Sequence, residues 1–279
     1  MDDTPADRYA VIGFPVAHSY SPVIHAQFAA QTGERLVYER LEAVPGEFAR
    51  RMEEFFSGGG CGLNVTRPHK LEAFRAAHEL TPRARLARAV NTLSSLGKGR
   101  LQGDNTDGAG LVTDLQRNEG TFIAGRRLLV LGAGGAARGI AGPLLVERPA
   151  ELVIANRNPQ TAIQLAAHFA EHGVVRGCGY DELAGASFDM VINTTAASVP
   201  EDVPPVPMSS LRENTLCYDL AYGQNPTPFS QWASERRMKR VRKGWGMLVE
   251  QAAESFFVWR GVRPDTGPVL EKLDAWNRG

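Results

Sequence analysis

Two sets of residues in this chain have types and spacings that could do chemistry. The first is Leu128-Leu129-Val130-Leu131-Gly132-Ala133-Gly134-Gly135-Ala136-Ala137-Arg138-Gly139, where a run of strand formers meets Gly-x-Gly-x-x-Ala and helix-compatible residues follow to Val146. That pattern is the fingerprint of a dinucleotide-binding turn. Gly132 permits a tight strand-to-helix reversal that a Cβ would obstruct. Gly134 lets the backbone approach a pyrophosphate, and Ala137 keeps the helix close to its strand. Gly132, Ala133, Gly134, Gly135 and Ala136 are therefore candidate cofactor residues, with the helix N-terminus favouring the phosphate charge. A second strand, Glu151 to Ala155, ends at Asn156-Arg157, where an NAD-binding unit usually places a carboxylate for the ribose hydroxyl. An amide and a guanidinium fit a 2′-phosphate better, so the expected cofactor is NADP.

The second set is polar and scattered: Ser19 and Ser21 in one loop, Thr66 and Lys70 at the end of another, Asn91 at the start of a strand, and Asn105 and Asp107 further on. Tyr222 and Gln251 come from beyond the nucleotide-binding segment. Hydroxyls and amides with one cation suit a small polyhydroxylated acid. Helix capping alone explains any one of them. It explains poorly why so many fall at the ends of separate strands, where α/β sheets place ligands.

The elements that must position these residues read as an alternation of strand and helix, with no internal repeat. Tyr9–Ile12, Leu36–Leu41 and Cys61–Val65 are strands, and Val23–Gln31 and Glu47–Phe56 are helices. Thr66 and Pro68 suggest a capped helix from Pro68 to His78. A glycine-turn hairpin spans Ala89 to Gly103, and a helix runs from Ala109 to Asn118. The nucleotide-binding βαβ then begins at Arg127, and helices at 247–260 and 267–276 close the chain. The expected class is α/β: an N-terminal α/β substrate domain, a doubly wound Rossmann-type dinucleotide domain, and C-terminal helices returning to the first. The expected boundaries are 1–107 with 245–279, and 108–244. Gly244-Trp245-Gly246 reads as a flexible joint on which the two domains would close.

Composition limits the function classes. The 279 residues hold 31 Lys plus Arg against 31 Asp plus Glu, which removes the electrostatic case for a nucleic-acid binder. The basic run Arg236–Lys243 then reads as a solvated helix end and an edge strand. No stretch approaches a membrane span, and the polar, acidic first residues do not resemble a signal peptide, so a cytoplasmic protein is expected. The three cysteines have no metal-like spacing, and His168 and His172 lack a third ligand, so no metal is expected.

The blocks Gly13–Pro22, Asn64-Val65-Thr66-Arg67-Pro68-His69-Lys70, Ala89-Val90-Asn91-Thr92 and Gly103–Gly108 resemble the signature blocks of the shikimate dehydrogenase family. So do Gly132–Gly139, Asn156-Arg157, Asp219-Leu220-Ala221-Tyr222 and Gly246–Ala252, in family order from Tyr9 to Trp259. The resemblance implies reversible NADPH-dependent reduction of 3-dehydroshikimate to shikimate, in aromatic amino-acid biosynthesis. It implies Lys70 and Asp107 as the catalytic pair and Ser19 and Ser21 on the substrate carboxylate. Thr66, Asn91, Asp107 and Gln251 fall on ring hydroxyls, Tyr222 is a further substrate contact, and Asn156, Arg157 and Gly246 lie on the cofactor. A monomer or homodimer is implied.

The chain departs from the family pattern at two places. Asn158 and Thr161 stand where many relatives have Thr and a second basic residue, which predicts a weaker grip on the 2′-phosphate. The segment Asn193–Val199, on the nicotinamide side, lacks a usual glycine. Two alternatives stand beside the main reading: a quinate-using relative with relaxed NAD/NADP choice, and a catalytically silent NADP-binding regulator. The serine pair in the first loop argues against the former, and retention of both Lys70 and Asp107 against the latter.

Overall fold

The computed structural model describes residues 5–195 and 203–278, so the expectation for residues 196–199 lies outside the described residues. The chain divides into two compact units. One takes the chain up to Gly110 together with Leu248–Glu271; the other takes Leu111–Met247 and the chain from Lys272 onward. The first two changes of unit therefore fall three residues beyond the expected boundaries and inside helices, not in the loops where composition shifts, and a third, after Glu271, has no counterpart among the expected boundaries.

In the first unit, strands β1 (Asp7–Gly13), β2 (Leu36–Glu42) and β3 (Gly60–Val65) alternate with helices α1 (Ser21–Thr32) and α2 (Phe48–Ser57). Helix α3 (Lys70–Ala76), strand β4 (Glu79–Leu80), helix α4 (Pro82–Ala87) and the hairpin β5 (Thr92–Ser95) and β6 (Leu101–Asp104) follow. The six strands form one mixed sheet in the order β2-β1-β3-β5-β6-β4. β1 runs parallel to both β2 and β3, whereas β5 is antiparallel to β3 and β6. Ile12, Leu63, Val65 and Leu93 from the strands pack with Phe48 and Phe55 of α2 in a closed core. Burial of such aliphatic and aromatic side chains contributes about 1.5–3 kcal/mol each, which is what holds the strand ends in register.

Helix α3 is shorter than expected. His69, not Thr66, occupies the N-cap position; no side chain caps the helix, and the His69 N–H turns back onto Thr66 O at 3.1 Å. The turn before the helix is closed by backbone, so Thr66 is not consumed as a cap. Asp107 likewise lies inside its helix, α5 (Asp107–Thr113), which widens into a π turn over Asp114–Asn118.

The second unit carries β7 (Arg127–Leu131), α6 (Gly135–Val146), β8 (Glu151–Ala155), α7 (Pro159–His168) and β9 (Val175–Cys178). β10 (Met190–Asn193), β11 (Leu216–Asp219), helix α8 (Pro228–Glu235) and β12 (Arg240–Lys243) complete it. Its sheet has the order β12-β11-β10-β7-β8-β9, and every pairing is parallel. β7, β8, β10 and β11 are buried along nearly their whole length, as a parallel sheet covered on both faces requires. The strand order reverses between β7 and β10, the switch point at which open α/β sheets bind ligands. The basic run covers the end of α8 and then β12, an edge strand.

Helix α9 (Trp245–Arg260) and helix α10 (Gly267–Arg278) end the chain. The expected flexible joint is not there. Gly246 lies in the first turn of α9, and a Cβ on it would sit 1.8 Å from Asp114 Oδ1. A Cβ on Gly244 would sit 2.5 Å from Leu220 O, and neither glycine has a positive φ. Close packing, not conformational freedom, accounts for both.

Candidate active site

In the first unit the sheet brings four of the expected residues into one hydrogen-bonded group. Lys70 opens α3, and its position is fixed from both sides. Val90 N donates to Lys70 O at 3.0 Å. The adjoining His69 ring, fully buried, lies 2.7 Å from both Ala43 O and Glu72 Oε1. Asp107 is set by the turn before it, whose Asn105 amide bonds Ala89 O at 2.8 Å and accepts from Asp107 N at 3.2 Å. Lys70 Nζ then donates to Asp107 Oδ2 at 2.5 Å. The side chains are only 14% and 5% exposed, so solvent screens this pair far less than a surface ion pair.

Asn91, 2% exposed at the head of β5, donates through Nδ2 to Asp107 Oδ1 at 2.9 Å and lies 3.3 Å from Gln251 Oε1. Gln251 Nε2 is tied to Leu248 O at 2.8 Å, which points its oxygen toward Asn91. A Cβ on Gly110 would meet the Gln251 backbone at 2.6 Å, so this glycine lets α5 and α9 approach. The arrangement can hold an ammonium by a carboxylate and present both, with amides, to a hydroxylated ring.

Ser19 and Ser21 also come together. Ser19 Oγ donates to Ser21 Oγ at 3.1 Å, and Ser21 N donates to Ser19 Oγ at 3.3 Å. Sequence reasoning missed Arg40. From β2 its Nε and terminal nitrogen both donate to Ser19 O, at 3.0 and 2.7 Å. Among the described residues it has no carboxylate partner, so its charge stands beside the serine pair. Thr66 is half-buried, its methyl crowding the position a Cβ on Gly13 would need (2.2 Å), and its hydroxyl has no partner among the described residues.

In the second unit Gly132 has φ +103°, and a Cβ there would meet Thr194 Oγ1 at 2.6 Å. Both conditions demand glycine. Thr194 reaches across the switch point to Leu131 O through N (2.9 Å) and Oγ1 (2.7 Å). Gly134 caps α6 and is exposed, with nothing within 4 Å of a Cβ placed on it. Gly135 and Ala136 open the helix there, while Ala133 and Ala137 are buried against the sheet. An open glycine at the head of a twelve-residue helix fits a pyrophosphate. Asn156 is held by a bond from Nδ2 to Asn158 O at 3.1 Å. The exposed Arg157 guanidinium has no carboxylate partner among the described residues. This donor set fits the 2′-phosphate of NADP. Asn158 is used structurally: its Oδ1 caps α7 by accepting from Gln160 N at 3.1 Å.

The other two expected residues also lie in the second unit. The Tyr222 ring packs on Trp245, with centroids 5.2 Å apart. Gly246 abuts Asp114, whose Oδ2 accepts from Tyr218 Oη at 2.7 Å. Among the described residues no group of three or more His, Cys, Asp or Glu is placed to hold a metal, and no helix is long and apolar enough to cross a membrane.

Three family models match in sequence order: a shikimate dehydrogenase substrate binding domain over residues 11–93, shikimate / quinate 5-dehydrogenase over 114–222, and a shikimate 5′-dehydrogenase C-terminal domain over 244–273. The shikimate dehydrogenase (NADP(+)) of Methylococcus capsulatus is 52% identical over 275 residues, covering 99% of each chain. That of a Janthinobacterium species is 54% identical over 270 residues, covering 97% of this chain and 98% of the relative. Among solved structures, an Ael1 enzyme from Pseudomonas putida superposes with a TM-score of 0.84 at 44% identity, covering 96% of this chain and 98% of that one. Shikimate 5-dehydrogenase from Thermus thermophilus, in complex with NADP(H) and shikimate, gives 0.83 at 31% identity, covering 97% and 99%.

Proposed function

Because the chain belongs to the shikimate dehydrogenase family, we propose from its own site that it interconverts 3-dehydroshikimate and shikimate with NADP(H). The observation that carries the reading is the buried Lys70–Asp107 pair, with Asn91 on the second carboxylate oxygen. When bound, NADPH supplies a hydride to the substrate carbonyl carbon. The carbonyl oxygen then develops negative charge and needs a proton. Lys70 Nζ delivers it, and the proton returns to Nζ when the reaction runs toward the ketone. Asp107 holds the ammonium in line through Oδ2. In the same reading Asp107, Asn91, Gln251 and Thr66 orient the ring hydroxyls, and Tyr222 is a further contact.

Ser19 and Ser21 hold the substrate carboxylate, and the Arg40 guanidinium adds a fixed positive charge next to it. Gly132–Ala136 and the N-terminal turn of α6 bind the pyrophosphate, with Asn156 and Arg157 on the 2′-phosphate and Gly246 as a further cofactor contact. The balanced charge argues against a nucleic-acid partner, and a cytoplasmic monomer or homodimer completes the proposal.

The test is an absorbance assay of the purified protein with shikimate and NADP, run in parallel with quinate and with NAD. Rapid NADP reduction with shikimate is expected, slower turnover in the other arms. No reduction with shikimate overturns the reading.

A further inference from the structure

Ser255 stands on α9 four residues beyond Gln251 and is completely buried, although its side chain is a hydroxyl. Its Oγ lies 2.9 Å from Asn64 Nδ2, 2.9 Å from Thr92 Oγ1, 3.0 Å from Thr106 Oγ1 and 3.0 Å from Gln251 O. One atom thus joins β3, β5, the turn before α5, and the carbonyl of the residue whose side chain faces Asn91. A buried hydroxyl needs only one or two partners to be satisfied. Four partners, two of them adjoining Asn91 and Asp107 in sequence, exceed that need.

The donors and acceptors in this cluster can be assigned. Asn64 Nδ2 also donates to Asn91 O at 3.3 Å, while Asn64 Oδ1 lies 2.7 Å from Tyr38 Oη, which fixes that amide. Asn64 therefore donates to Ser255 Oγ, and Ser255 gives its own proton to Gln251 O, which can only accept. The Thr92 hydroxyl donates to Asn91 Oδ1 at 2.9 Å, and the Thr106 hydroxyl, which accepts from Asn91 Nδ2 at 2.8 Å, donates to Ser255 Oγ. Thr106 N, an obligate donor, also reaches Asn91 Oδ1 at 2.8 Å. With its oxygen surrounded by donors, the Asn91 amide has one orientation: nitrogen toward Asp107 Oδ1. The opposite orientation would set oxygen against a carboxylate and leave these donors facing an NH2 group.

We propose that Ser255 is a positioning residue, which through Thr106 fixes the Asn91 amide and so holds the Asp107 carboxylate for Lys70. The proposal rests on the dehydrogenase reading of this site. Ser255 touches neither Lys70 nor Asp107, so removing its hydroxyl reaches that pair only through its neighbours.

The experiment compares wild type, Ser255→Ala, Asn91→Ala and the double variant in the shikimate–NADP assay, with NADP Kd from fluorescence titration and thermal midpoints alongside. Ser255→Ala should lower kcat about 10- to 100-fold, the scale on which a small misplacement of reacting groups acts, and leave NADP Kd unchanged. In the Asn91→Ala background it should have little further effect, since the two act as one unit. Near-normal kcat with only a lower thermal midpoint would make Ser255 a core residue and overturn the proposal. Independent, multiplicative losses in the double variant would overturn it equally. Should Ser255→Ala fail to fold, Thr106→Val keeps the shape and removes the hydroxyl that bridges Ser255 to Asn91. It should lower kcat in the same non-additive way, and a normal kcat there is decisive against the idea. An inactive wild-type chain would overturn the dehydrogenase reading and this proposal with it, whereas an active wild type with an unaffected variant overturns the positioning role alone.

Discussion

Lys70 and Asp107, 37 residues apart in sequence, meet at 2.5 Å in the first unit, where both are largely withdrawn from solvent. Each is the first residue of its helix, so each side chain is aimed by a turn that backbone and amide bonds hold rigid. If Lys70 acts in proton transfer, Lys70→Ala should lower kcat by about 10²–10⁴ with little change in shikimate KM. Asp107→Asn should damage kcat and KM together, since it loses both the lysine and a ring hydroxyl. A folded Lys70→Ala protein with near-normal kcat would contradict the mechanism.

Arg157 is the only charged side chain from Asn156 to Thr161, and Asn158 is committed to capping α7. A hydrogen bond to a charged group contributes about 1.5–3 kcal/mol, so Arg157→Ala should weaken NADP about 10- to 150-fold and leave NAD unaffected. Titration of both cofactors against the variant decides this. Equal losses would make Arg157 structural.

His25 sits fully buried in the first unit, stacked on Tyr38 at 4.2 Å, and among the described residues neither ring nitrogen has a hydrogen-bond partner. Burial pushes its ring down to about 3 from the ordinary 6.5. The folded state therefore keeps the ring neutral where the unfolded chain would protonate it. Above the unfolded value there is no difference. As pH falls from about 6.5 toward 3, the unfolded state binds the extra proton, and stability drops by about 1.4 kcal/mol per pH unit. Denaturant melts between pH 7 and 4.5 should show that slope, and His25→Leu should remove most of it whatever its effect at neutral pH.

Gly246→Ala should destabilise the protein by about 1–3 kcal/mol, because the new methyl enters the space of the Asp114 carboxylate. Asp114→Ala, by opening that space, should relieve the clash in the double variant, although it leaves Tyr218 Oη without its acceptor. If Gly246 were a free joint, the alanine would be neutral in a thermal melt.

The sequence was most legible where glycine or proline marked a change of direction. Gly132 and Gly134 announced the switch-point turn, and Pro22 the start of α1, since each constrains the backbone in a way few other residues can. The serine pair and Lys70–Asp107 were legible because whole blocks resemble a family. Arg40 was not, because a single arginine in a strand has no local signature; only the fold shows that β2 lies alongside the Ser19 loop. Ser255 was hidden for a similar reason: a serine inside a helix reads as exposed until its neighbours are known. The boundaries were misplaced because α5 and α9 each run from one unit into the other without the glycine- or proline-rich break that composition would reveal.

That division also dictates an order of assembly. A chain made from its N-terminus has exposed Asn64, Thr92 and Thr106 long before Gln251 and Ser255 leave the ribosome, with the whole of β7 to β12 still to be made in between. At about 5–20 residues per second the second unit can complete its sheet while the first still lacks its closing helix. A nascent chain arrested before residue 248 should therefore protect the parallel sheet from protease and leave the amide and hydroxyl cluster around Asn91 open to attack.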